Sequence, residues 1–177
     1  MKPTISIDPS KNSTGILIAT DDYHQSFTMI IDEKDDESVY FVKIANAIKN
    51  IIKQHKIEAA IIEDYAFSRS THRSFTILAE IKGIILLELY KQNLKVIKIG
   101  ISSWKTFSKI YETNKKSKKG KANYINQAFL NYGLKFNSTD EVDAYLMLNA
   151  CHKIFNGLGR TDSQLKLYEE VKYIWED

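Results

Sequence analysis

Residues 4–20 read TISIDPSKNSTGILIAT, two β-prone runs, Thr4–Ile7 and Thr14–Thr20, parted by the polar residues that follow Asp8-Pro9-Ser10. Short apolar runs separated by Asp, Pro, Ser and Asn are the pattern of two strands joined by a turn, so a hairpin is expected here. Asp21-Asp22 supplies a second turn, after which Tyr23–Ile31 continues as a third strand. Three successive strands with an acid at the end of the first set the frame for the rest of the chain.

Beyond the acidic stretch that reaches Ser38, the segment 39–55 repeats Val42, Ala45, Ile48, Ile51 and Ile52 at helical spacing. Ile57–Ile62 (IEAAII) is a compact apolar run of the kind buried on both faces of a sheet, and it stops at Glu63-Asp64. Residues 71–92 carry Phe75, Leu78, Ile81, Ile85 and Leu89 at three- and four-residue intervals and predict a long helix that tolerates Gly83. Leu94–Ile99 then reads as a fifth strand. The pattern loosens through SSWKTF and a lysine-rich stretch, with a short helix expected over Ala122–Tyr132. Ser138-Thr139-Asp140-Glu141 has the form of a capping box, Glu141 reaching back, that opens an apolar helix running to Phe155. Leu165, Tyr168, Val171 and Trp175 mark an amphipathic helix over 162–175, packing on the domain.

This order is α/β: a mixed five-stranded sheet, three antiparallel strands and then parallel ones, flanked by helices. The first and fourth strands can lie parallel and adjacent, and catalytic groups in open α/β sheets gather beyond the C-terminal strand ends. Asp8 and Glu63 end those two strands.

At 177 residues, 44% hydrophobic and 27% charged, the chain fits one globular domain over residues 1–177, with 159–177 as a C-terminal helical extension. Cys151 is the sole cysteine, which excludes an intrachain disulfide and a paired-cysteine zinc site. No charged leader with an apolar run opens the chain, and no apolar stretch approaches the roughly 18 to 20 residues of a membrane span. A cytoplasmic setting is expected, the host cytoplasm for a phage protein or the nucleus for a eukaryotic one. The formal charge of +3 is a mild excess, but Lys115, Lys116, Lys118, Lys119 and Lys121 crowd a single stretch.

Metal-assisted phosphodiester hydrolysis needs hard oxygen ligands, so several carboxylates must converge on one or two Mg²⁺ or Mn²⁺ ions. Asp8 and Glu63 at neighbouring strand ends are two candidates. Asp140 and Asp143, three residues apart on one helix face, are the others. Each has a structural alternative: Asp8 before Pro9 forms turns, Glu63 marks where a strand meets water, and Asp140 complements a helix N-terminus. Asp143 is harder to account for, because it stands beyond the first turn among Val142, Ala144 and Leu146.

Taken together the acids resemble those of the RuvC-type Holliday junction resolvases. Ile5-Ser6-Ile7-Asp8-Pro9 followed by Ser13-Thr14-Gly15 is similar to the opening of that family. Ile61-Ile62-Glu63 resembles its second acid, Ile81-Lys82-Gly83 the helix that follows, and Asp140-Glu141-Val142-Asp143-Ala144 its closing Asp-x-x-Asp-Ala helix. The match spans nearly the whole chain in order. The resemblance implies an RNase H-like fold, a homodimer, Mg²⁺ or Mn²⁺ with two ions per site, and paired nicks across a four-way junction, with Asp8, Glu63, Asp140 and Asp143 as metal ligands.

A DNA-binding surface is expected beside these acids. Lys105 and the cluster Lys115, Lys116, Lys118, Lys119 and Lys121 suit phosphate contacts, and the alternative is a solvated loop. The resemblance favours the phosphate role, above all for Lys121 and then Lys105. After Glu63, Tyr65, Phe67, Arg69 and Arg73 interleave aromatic and basic groups fit to stack on unpaired bases, although the aromatics also suit a core edge. Ala66 stands where related enzymes place a wedge aromatic, which leaves that role unassigned. Actin-like and sugar-kinase ATPases share the opening hairpin but need a second domain. The same scaffold also suits a nuclease of flaps or other branched DNA, and, were the acids inactive, a non-catalytic DNA-binding module.

Overall fold

The computed structural model describes residues 1–30, 36–64, 72–108, 110, 117–159 and 161–176. Eleven elements follow along the described chain: β1 (Thr4–Pro9), β2 (Ser13–Ala19), β3 (His24–Ile30), α1 (Glu37–His55), β4 (Ala59–Glu63), α2 (His72–Lys91), β5 (Lys95–Ile99), α3 (Ile101–Lys105), α4 (Lys118–Tyr132), α5 (Thr139–Phe155) and α6 (Asp162–Trp175). The strands form one sheet in the order β3-β2-β1-β4-β5. β1, β2 and β3 pair antiparallel, whereas β1–β4 and β4–β5 are parallel, as the strand pattern predicts.

Both faces of this sheet are covered, which explains the near-continuous apolar runs of its central strands. Because side chains alternate along a strand, Ile5, Ile7, Ile16, Ile18, Ala60 and Ile62 enter one core with α1 and α2. Leu17, Ala19, Ala59, Ile61, Ile97 and Ile99 enter the other, with α3 to α6. The same alternation decides where the acids point. Asp8 shares the parity of Ser6, whose hydroxyl donates to the Ala144 carbonyl of α5 at 2.7 Å. Glu63 shares that of Ala59 and Ile61. Both therefore belong to the α5 side of the sheet.

Local signals terminate the helices. Asp36 caps α1 by accepting from Ser38 N at 2.8 Å, and Lys56 ends it in the left-handed region at φ 49°. Thr161 and Gln164 form a reciprocal capping box at α6. Gly133, at φ 72°, closes α4 where a side chain would be strained.

Several expectations are corrected. β1 runs on through Asp8 to Pro9, so Asp8 lies inside the strand and pairs with Gly15. The loosened stretch after β5 contains the one-turn helix α3. α4 begins at Lys118, not Ala122, because the Ser117 hydroxyl caps it by accepting from Gly120 N at 3.0 Å and lysine is a good helix former. Glu141 does not close a capping box on Ser138: Ser138 accepts from Glu141 N, but the Glu141 carboxylate turns to Asn137 N and to β3. Val42 and Leu165 point outward, and Tyr40, Ile44 and Gln164 take inner positions instead. Ile31 and Thr71, assigned to a strand and a helix from sequence, lie outside the described residues.

Candidate active site

The parallel register of β1 and β4 pairs Ile7 with Ile62, so the next residues, Asp8 and Glu63, stand side by side at the C-terminal edge of the sheet. α5 crosses the same edge. Its first turns bring Asp140 and Asp143 to the strand ends, and contact with β2 is so close that a Cβ on Gly15 would collide with the Asp140 carbonyl group and fall 2.9 Å from Asp140 Cβ. Gly15 is the register partner of Asp8. The absence of a side chain there lets α5 approach Asp8.

Each of the other three acids is held by a neutral donor from a different element. Ser13 Oγ of β2 donates to Asp140 Oδ2. Trp104 Nε1 of α3 donates to Glu63 Oε2 at 3.3 Å. Tyr124 Oη of α4 donates to Asp143 Oδ1 at 2.6 Å. Neutral donors satisfy oxygen lone pairs without cancelling charge. Asp8 itself is 9% exposed.

Burial dominates the electrostatics, and charges of both signs modify it. Burial pushes the Glu63 carboxyl above its ordinary range, and the charge of Asp143 pushes the same way, while Lys82, the Trp104 indole and Lys105 oppose them. Burial lowers the Lys82 ammonium, and Glu63, Asp64 and Asp8 counter that shift. Lys82 is only 4% exposed. It reaches the acids from α2, the helix layer on the other face of the sheet. Burial raises the Tyr124 phenol, and Asp143 and Asp8 add to the rise, so Tyr124 remains a donor at any working pH.

Glu141, between the two α5 acids, is structural. At 1% exposure it accepts from Ser26 Oγ at 2.8 Å, Thr28 Oγ1 at 3.0 Å and Asn137 N at 3.1 Å. A buried carboxylate needs such partners, and this set pins the start of α5 to β3.

The basic residues flank the acids. Lys105 is exposed and follows Trp104 directly, its Nζ 5.8 Å from that ring. Lys118, Lys119 and Lys121 are exposed on the first turns of α4. Cations there oppose the helix macrodipole, and together with the backbone N–H groups of the helix start they form a surface suited to phosphate. Tyr65, Phe67, Arg69, Lys115 and Lys116, together with the Arg73 side chain, lie outside the described residues.

Four carboxylates at one edge are the donor set that a hard divalent cation requires. Among the described residues no three acid, imidazole or thiol groups already enclose an ion-sized space. The ligand chemistry fits in kind, and the four side chains would have to turn toward one another to close on an ion.

The family model described as crossover junction endodeoxyribonuclease RuvC matches residues 4–152. This chain belongs to the RuvC family. Its members are metal-dependent nucleases, and this chain is accordingly a crossover junction endodeoxyribonuclease. Similar solved structures include Thermus thermophilus RuvC with a Holliday junction substrate, at 13% identity and TM-score 0.69, covering 90% of this chain and 99% of that one. Thermus thermophilus RuvC is also similar in a second structure, at 13% identity and TM-score 0.61, with 89% and 98% covered. The yeast mitochondrial Holliday junction resolvase matches at 11% identity and TM-score 0.51, with 97% and 81% covered. Comparison with curated proteins finds no match. The RuvC match ends at residue 152 and so leaves α6 outside it.

Sequence reasoning did not reach Lys82, Trp104, Tyr124 or Ser13 as site residues. Lys82 had a signal: it stands at helical spacing between Leu78, Ile85 and Leu89, an inward position for a charged residue. The other three reach the acids from distant parts of the chain and carry no local mark.

Proposed function

We propose that this RuvC-family endonuclease resolves four-way DNA junctions as a homodimer, with Asp8, Glu63, Asp140 and Asp143 holding two Mg²⁺ or Mn²⁺ ions. The observation that carries this reading is the convergence of Asp8, Glu63 and the start of α5 on one sheet edge, flanked by the lysines of α3 and α4. Bound divalent ions supply an activated water and offset charge on the departing oxygen.

The protein's own residues do the rest. Lys105, Lys118, Lys119 and Lys121 engage backbone phosphates, a sequence-independent contact that fixes register without reading bases. Trp104, Tyr124 and Ser13 each hold one oxygen of a carboxylate and so limit the directions in which the three acids can turn toward an ion. Lys82 limits the repulsion among buried acids before ions and DNA arrive. Tyr65, Phe67, Arg69 and Arg73 follow Glu63 in sequence and are assigned to the unpaired bases at the branch point.

Pairing of subunits has support on α2. Thr76, Glu80, Gly83, Leu87 and Tyr90 form an exposed stripe at three- and four-residue spacing. Leu87 and Tyr90 are more than half exposed, and a Cβ at Gly83 would meet nothing within 4 Å. A small residue beside exposed Leu87 and Tyr90 suits close approach of a second α2, and a two-fold dimer presents two sites to the two strands that must be nicked.

Cleavage of an immobile four-way junction, a linear duplex and a single-flap DNA, in Mg²⁺ or EDTA, tests the reading. Symmetric, metal-dependent nicks in the junction are the expected result. Equal or faster cutting of the flap would assign the enzyme to branched DNA in general.

A further inference from the structure

We propose that Tyr124 is a positioning residue: its hydroxyl fixes Asp143 for cation binding, and it does so from the helix whose first turns carry the phosphate-facing lysines. The inference rests on the metal-site reading above and concerns one side chain within it.

α4 docks through Tyr124 and Ala128, with Ile125 and Tyr132 partly buried against the same core. Its buried residues are Tyr124 and Ala128, one turn apart on the side that faces α5, and the remaining residues are partly or fully exposed. The aromatic ring is one part of that anchor, and a Phe would fill its volume equally well. The hydroxyl does something a Phe would not. It donates to Asp143 Oδ1 at 2.6 Å, toward the short end of O–H···O bonds and in the range of bonds to a charged acceptor. The charge of Asp143 acts on Glu63, so the carboxylate that Tyr124 holds belongs to the acid set at the strand ends.

The choice of donor matters. A lysine or arginine at this place would neutralise Asp143 and compete with a cation for it. A phenol holds the carboxylate by one oxygen and leaves its charge intact, as the partners behind metal ligands generally do. Lys121 lies one helical turn before Tyr124. A phosphate drawn to Lys121 therefore loads the same short helix that sets the direction of Asp143.

Binding of Mn²⁺ to the DNA-free protein, followed by electron paramagnetic resonance or calorimetry, separates this role from simple packing. Tyr124→Phe is expected to weaken Mn²⁺ binding about tenfold, to raise the metal concentration for half-maximal cleavage in parallel, and to leave junction affinity in EDTA at the wild-type value. Ala128→Gly is the packing control, since it loosens α4 without touching the hydroxyl, and its Mn²⁺ affinity should match wild type. Wild-type affinity in Tyr124→Phe would overturn the proposal, as would equal weakening in both variants, which would trace the effect to helix docking. Failure of the wild type to take up Mn²⁺ would remove the metal-site reading itself, and this inference with it.

Discussion

A side chain on Gly15 would drive its Cβ into the carbonyl group of Asp140, because β2 and the first turn of α5 meet backbone to backbone there. Gly15 also faces Asp8 across the hairpin. One glycine thus sets how far the α5 acids stand from the acid of β1. Gly15→Ala should lower stability by about 1–3 kcal/mol, the range for overpacking a tight contact. It should also reduce cleavage beyond what lost folding explains, because Asp140 must move. Thermal melts beside cleavage rates at a temperature where the variant is folded check this, and wild-type cleavage would show that the spacing is not critical.

Asp8→Asn should abolish cleavage and leave junction binding in place. The change removes a charged ligand at a 9% exposed position without altering the lysine surface. Electrophoretic mobility shifts in EDTA, set beside nicking in Mg²⁺, measure the two properties separately. Retained nicking would remove Asp8 from the metal shell.

Lys82→Met keeps most of the aliphatic stem and deletes the ammonium that faces Glu63, Asp64 and Asp8. Removing one member of a buried charge set leaves the others uncompensated, so the metal-free variant should lose about 3 kcal/mol at neutral pH. Mg²⁺ should restore part of that loss by supplying positive charge. Denaturant titrations with and without Mg²⁺ test this, and a loss indifferent to Mg²⁺ would mean that Lys82 contributes packing alone.

Glu63 gives the site a pH dependence. Its folded pKa is raised above the unfolded value, mainly by burial, so its contribution to stability is fully present below the ordinary glutamate range. That contribution is lost as pH rises through the raised folded value. Metal-free wild type should therefore lose stability between acidic and neutral pH, and Glu63→Gln should lose less over the same interval, with Tm moving roughly 2–4 °C for each kcal/mol in a chain of this size. The same variant should not cleave. Differential scanning calorimetry at acidic and neutral pH decides the matter, and a Glu63→Gln variant whose stability falls as much as that of wild type would contradict the sign.

Lys121→Ala should weaken junction binding at low salt and reduce the salt slope of log Kd by about 1, as expected for one lost phosphate contact. Affinities measured across a salt series report this directly. A curve that overlays the wild type would take Lys121 out of the interface.

The sheet was legible because burial on two faces leaves a direct record in sequence. IEAAII and TGILIAT announce central strands, and the parity of Ser6 with Asp8 and of Ile61 with Glu63 fixes which way those acids turn. The helical repeats of α1, α2 and α5 were equally plain. The start of α4 was not, since its lysines read as a solvated run and the cap that begins it is a single serine hydroxyl. Glu141 departs from its local pattern for a related reason: the capping sequence is present, but hydroxyls on β3, more than a hundred residues away, compete for its carboxylate.

What the sequence alone determined was the order of the strands and of every helix but α3, and the four acids in their RuvC-type pattern, because periodicity and chain order are local properties. Only the tertiary structure decided who holds those acids. Ser13, Trp104, Tyr124 and the buried Lys82 come from β2, α3, α4 and α2. Their selection depends on distances across the fold, where burial strengthens every charge and hydrogen bond and no sequence spacing records which groups will meet.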